Sequence, residues 1–175
     1  MKALEDRFKH ELMGNRSTAK SKYVAENISS KKEIQALINL IDSKNDYPIP
    51  EAASWCIRHS LEHVPEHHTF ICEKMVKKIG EIERDSLIKN LLGVIKHSKF
   101  PPSIYGELAH HCLAYLTQPT RSKAVLYYSL EIMTKICKAE PELSRELKLT
   151  VDELLPISSN AFKRKYVKTK KALKL

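Results

Sequence analysis

His59-Ser60-Leu61-Glu62-His63 is the densest group of side chains able to hold a metal or move a proton in this chain. Histidines at i and i+4 share one helix face and can clamp zinc, with the glutamate between them as base. His67 and His68 follow at once, so the match arises in a stretch already rich in imidazole. A third ligand is needed, and no spacing marks one, so these residues read as surface or half-buried histidines and no metal is assigned. His110-His111-Cys112 reads as one exposed and one packed histidine beside core positions. Cys56, Cys72, Cys112 and Cys137 form no C-x-x-C pair and each has apolar neighbours at helical spacing, the pattern of small buried hydrophobes in a reducing compartment. No Ser-His-Asp grouping, phosphate loop or dinucleotide fingerprint is present. No catalytic residue and no cofactor is therefore expected.

Binding chemistry is better represented. Trp55, the single tryptophan, and the pair Tyr127-Tyr128 are large aromatics that either pack on a neighbouring helix or offer a stacking surface. Cations recur along the chain: Arg16, Lys20 and Lys22; Arg58; Arg84 and Lys89; Arg121 and Lys123; then Lys163, Arg164, Lys165 and Lys168. Such a row suits a phosphate backbone, because each neutralised phosphate releases a counterion. Several of these cations fall near predicted helix N-termini, where the backbone dipole disfavours positive charge. They either serve a ligand or are solvated. The net charge is +9, but the last thirteen residues, Lys163 to Leu175, hold seven Lys and Arg and no acid. The body of the chain is nearly neutral and its C-terminal end is basic.

Hydrophobic periodicity predicts helices to position these groups nearly everywhere. Ile34, Leu37, Ile38 and Ile41 fall on one face, as do Ile71, Met75, Ile79 and Ile82. Leu87, Leu91, Val94 and Ile95 repeat the pattern, then Leu108, Cys112, Tyr115 and Leu116, then Leu126, Leu130, Met133 and Cys137, and finally Leu143, Leu147 and Val151. Ser30-Lys31-Lys32-Glu33 is a capping box, and Pro50 suits the first turn of a helix. Pro65, Pro101-Pro102, Pro119, Pro141 and Pro156 break the periodic segments. The predicted helices run over 2–13, 17–28, 30–43, 50–64, 66–81, 84–98, 102–117, 121–139, 142–155 and 158–173. Four glycines in 175 residues argue against a turn-rich β fold. A polar, acid-containing N-terminus and the lack of an apolar run near ~20 residues predict a cytoplasmic protein without a membrane span.

The segments repeat. Trp55 to Glu66 and Glu131 to Glu142 are each a helix ending in Pro-Glu and followed directly by another amphipathic helix. The two Pro-Glu pairs lie 76 residues apart, two periods of 38. On this period, pairing and proline placement the chain resembles HEAT-repeat (armadillo-like) proteins. The resemblance implies a single all-α domain over 1–175, a short right-handed α-α superhelix of about four to five helix pairs, with 158–175 as a basic capping helix. It implies that the second helix of each pair lines a concave face, nominating Trp55, Arg58, Arg84, Lys89, Arg121, Lys123, Tyr127 and Tyr128 there and Lys163, Arg164, Lys165 and Lys168 as a basic C-terminal patch. The function expected of such a face is non-enzymatic, a scaffold for a protein or peptide. The alternative is nucleic-acid binding, in the manner of the HEAT-like alkylpurine DNA glycosylases, although this chain offers one Trp and no Asp in register with their site. The C-terminal helix spends its apolar face on closing the stack, so attachment to a membrane surface is not expected.

Overall fold

The computed structural model describes residues 1–14, 17–42, 45 and 47–175. Among them are ten α-helices and no strand. They are α1 (Lys2–Leu12), α2 (Thr18–Glu26), α3 (Lys31–Leu40), α4 (Ile49–Ser60), α5 (His68–Ile79), α6 (Asp85–His97), α7 (Tyr105–Leu116), α8 (Lys123–Ala139), α9 (Ser144–Leu154) and α10 (Asn160–Leu173). Each falls inside one predicted segment except α4, which starts at Ile49, one residue before the predicted 50–64. Arg16 lies outside the described residues.

Serines start four of the helices. Ser17, Ser30, Ser122 and Ser159 each accept the backbone N–H three residues on, satisfying a donor the helix itself leaves open. At Ser30 the box is complete, because the Glu33 carboxylate also accepts the Ser30 N–H at 3.2 Å.

The proline junctions share one geometry. Pro65–His67 and Pro141–Leu143 are both single 3-10 turns that feed the next helix. The residues before them, Val64 (φ −129°) and Glu140 (φ −124°), are both pushed out of the helical region, as the proline ring requires. A third 3-10 turn, Pro102–Ile104, stands between them in the chain and leads into α7 in the same way. There the second residue is Ser103 instead of glutamate, which hides this junction from a search for Pro-Glu pairs.

The helices form two compact units, Met1–Pro101 and Pro102–Leu175. In the first, α2, α4 and α6 pack in order as one layer, α1, α3 and α5 as the other, and α3–α4 and α5–α6 join the layers. In the second, α7 packs on α8 and α9, and α10 packs on α8. The periodic residues form these cores: Ile34, Leu37, Ile38 and Ile41, the Ile71 and Leu87 sets, and Leu108 with Cys112 are buried. Leu143 departs from the pattern. It closes the 3-10 turn before α9 and is half-buried, while Leu147 and Val151 are fully buried. No helix is long and apolar enough to cross a membrane among the described residues.

Candidate functional site

In the first unit, the α2–α4–α6 layer presents the candidate side chains. Glu51, Trp55, Arg58 and Glu62 follow at spacings of four, three and four, so they share one ridge along α4 and the turn after it. Trp55 is half-buried and Arg58 exposed. Lys89 stands half-buried on the neighbouring α6 and makes no ion pair among the described residues.

Polar bridges cross from α4 to α6 at three levels. At the N-terminal end, Glu51 is buried, its side chain 2% exposed. Its Oε1 accepts the Ser86 hydroxyl at 3.0 Å and lies 3.5 Å from Arg84 Nε. Arg84 occupies the N-cap position of α6, a poor place for a cation, and the carboxylate opposite offsets that cost. Glu51 Oε2 is buried without a hydrogen-bond partner. In the middle, the Asn90 amide donates to Ser54 Oγ at 3.0 Å, and Ser54 donates to the Glu51 carbonyl. At the C-terminal end, Arg58 Nη2 lies 3.4 Å from His97 Nε2. A guanidinium only donates, so His97 accepts there and holds any ring proton of its neutral form on Nδ1.

Beside that last bridge lies a cavity of about 650 Å³. Lys22 and Glu26 reach it from α2, Arg58 and His59 from the last turn of α4. Glu62 and His63 line it from the following turn, with His68 from α5 and His97 from α6. Four of the eight histidines therefore meet at one cavity. Burial, then the charges of Lys22 and Arg58, hold the His59 imidazole below its ordinary range, against the opposing pull of Glu62. His68 is fixed in one neutral tautomer: its Nδ1 accepts the Lys99 N–H at 3.3 Å, so Nε2 carries the proton and donates to the Leu61 carbonyl at 2.8 Å. No group of three or more His, Cys, Asp or Glu is arranged to hold a metal among the described residues.

In the second unit, the corresponding bridge joins α8 to α10. The Lys165 ammonium pairs with Glu131 and lies 5.0 Å above the Tyr127 ring, and Thr134 and Thr169 meet one turn on at 3.0 Å. Tyr127 and Tyr128 make an edge-on pair, centroids 6.5 Å apart. Arg121 precedes α8, donates to Gln118 at 2.9 Å and covers Tyr115. Lys123, at the first position of α8, is exposed. On α10, Arg164 and Lys168 are exposed, whereas Lys163 edges a groove of about 390 Å³ floored by Leu155, Pro156 and Val167. The basic patch is thus divided: Lys165 is neutralised by Glu131, and its neighbours point elsewhere.

Sequence periodicity brought out Trp55, Arg58 and the cations, but not the carboxylates that answer them. Glu51 and Glu131 sit at helix positions that mark nothing by themselves. Their signal is the distance to their partners: the bridges between successive even-numbered helices join residues 33–39 apart, close to the repeat period. The cysteines offer no nucleophile. All four are free and buried, and burial pushes the Cys56 and Cys112 thiols up to about 12.

The family model of the HEAT repeat domain matches residues 8–171, across both units. The chain belongs to the HEAT-repeat family, the all-α class in which helix pairs stack as a solenoid and, in general, scaffold interactions between proteins. No curated protein and no solved structure matches it.

Proposed function

We propose that this chain is a non-enzymatic scaffold that binds a protein or peptide partner through its even-numbered helices, on the α2–α4–α6 layer of the first unit and on α8 and α10 of the second. One observation carries the reading: the charges there come in both signs, side by side. Arg84 faces Glu51 in the first unit, and Lys165 faces Glu131 in the second. A phosphate track needs cations left free to release counterions. Half-exposed Trp55 in the first unit, and Tyr127 with Tyr128 in the second, give each the aromatic-and-polar make-up of a protein interface. Buried thiols and a hydrogen-bonded His68 supply no activated nucleophile or base, which supports a binding role over catalysis.

Nucleic-acid binding is the second reading, and a specific observation favours it. Lys89, Lys123, Arg164 and Lys168 make no ion pair among the described residues. Fluorescence anisotropy with duplex DNA at low and raised salt separates the two. The scaffold reading expects weak binding that is indifferent to sequence and vanishes at physiological salt. Tight binding that persists there, and that falls when Lys89 and Lys123 are changed to Gln, overturns it.

A further inference from the structure

We infer that the cavity between the C-terminal ends of α2, α4 and α6 is a binding site for a small phosphate-bearing molecule, held by Lys22, Arg58 and the histidines around them. The volume, about 650 Å³, lies within the range of small-molecule sites and is far larger than one ion needs. Two permanent cations reach it from different helices, and neither Lys22 nor Arg58 pairs with an acid among the described residues. Arg58 instead rests on an imidazole, His97, at 3.4 Å. A guanidinium presents five N–H donors in a planar fork, and one long bond to a ring nitrogen leaves most of that fork for a ligand oxygen.

The charged and titratable groups facing the cavity are Lys22 and Glu26 on α2, Arg58 and His59 on α4, Glu62 and His63 after it, His68 on α5 and His97 on α6. With the imidazoles neutral, two cations balance two carboxylates. A proton taken up by His59 tips the site positive. His68 stands apart, because both its nitrogens are committed to the backbone of Leu61 and Lys99. His59 is lowered first by burial and then by Lys22 and Arg58, and the part of the field that comes from these two cations also attracts an anion. An anion bound between them cancels that field, so binding and protonation reinforce one another. Affinity therefore rises as pH falls, by up to about tenfold per pH unit for each coupled proton.

Titration of the full chain with pyrophosphate, followed by the histidine imidazole NMR signals at about pH 6 and about pH 8, tests this assignment. We expect saturable shifts at His59, His63 and His97, tighter at the lower pH, with His110 and His111 of the second unit unmoved. Arg58→Gln and Lys22→Gln should each weaken binding at least about tenfold, the loss of one charge-assisted contact, while Lys123→Gln leaves it unchanged. Arg58 and Lys22 are exposed, so neither change threatens the core. Shifts that do not saturate, or that survive both substitutions, would overturn the assignment. So would a chain that ignores pyrophosphate yet moves the same signals with duplex DNA, which would make these cations contacts for a nucleic-acid backbone.

Discussion

Glu51 and Arg84 lie 33 residues apart in the chain and meet across two packed helices, with Oε1 3.5 Å from Nε. Glu51 is buried and Arg84 43% exposed, so the pair joins an inner carboxylate to an outer cation. Lys165 and Glu131, 34 residues apart, meet in the same way between α8 and α10, there with both partners half-buried. One element of the repeat is thus electrostatic: α4–α6 in the first unit and α8–α10 in the second are each pinned by a bridge close to one period long.

Removing the outer partner should expose the cost of the inner one. Arg84→Ala leaves Glu51 with Ser86 as its side-chain donor and one oxygen already unpaired. A buried pair broken outright costs several kcal/mol, but Arg84 is well solvated, so about 1–2 kcal/mol of destabilisation is expected. Urea unfolding gives the value. Arg84→Ala together with Glu51→Gln should recover part of the loss, because no charge is then left buried. A midpoint unchanged in Arg84→Ala would show that solvent already screens the carboxylate.

Acid should weaken both units through histidine. His59 and His111 both sit below the ordinary imidazole value of about 6.5, each because burial disfavours the charged ring. Lys22 and Arg58 add to the effect at His59, and His110 adds to it at His111. The unfolded chain therefore binds these protons more readily than the folded one. Their contribution is intact above the unfolded value and is lost as pH falls through it toward the folded one. Stability measured in urea between about pH 7.5 and pH 5 should decline, and His59→Gln and His111→Gln should each flatten the decline. A slope unchanged in both variants would contradict the assignment.

The thiols should be silent in the native state. Cys56, Cys72, Cys112 and Cys137 are all buried. Burial raises Cys137 as well as Cys56 and Cys112. A thiol reagent at neutral pH should label none of them until denaturant is added, and then all four together within each unit's unfolding transition. Rapid labelling of one thiol in native buffer would show a local opening that this packing does not contain.

The helices were legible because their cause is local. Apolar residues at i, i+3 and i+4, a serine cap and a proline stop act over a few residues, so the Ile34 and Leu108 sets announce their buried faces directly. The repeat was harder to read. Pro65 and Pro141 share a glutamate after them, but Pro102, which performs the same turn between them, is followed by serine. The backbone needs the proline and not its neighbour. The site was legible only in half. Cations announce themselves by their number, whereas Glu51, Glu131 and the meeting of four histidines depend on which helices lie side by side. Leu143 shows the converse limit: its spacing fits the core face of α9, yet it falls in the 3-10 turn, where a different pitch rotates it toward the surface.

Photo-crosslinking in the cells that make this protein tests the scaffold reading most directly. A benzoylphenylalanine placed at Lys89, half-buried on α6 next to α4, should capture one discrete protein. The adduct should weaken when Trp55→Ala is added, since a half-exposed tryptophan at the centre of a contact carries much of its energy. The same group at Leu149, exposed on the odd-numbered helix α9, should not capture that protein. An adduct with nucleic acid, or equal capture from both positions, would contradict a protein-binding role for the α2–α4–α6 layer.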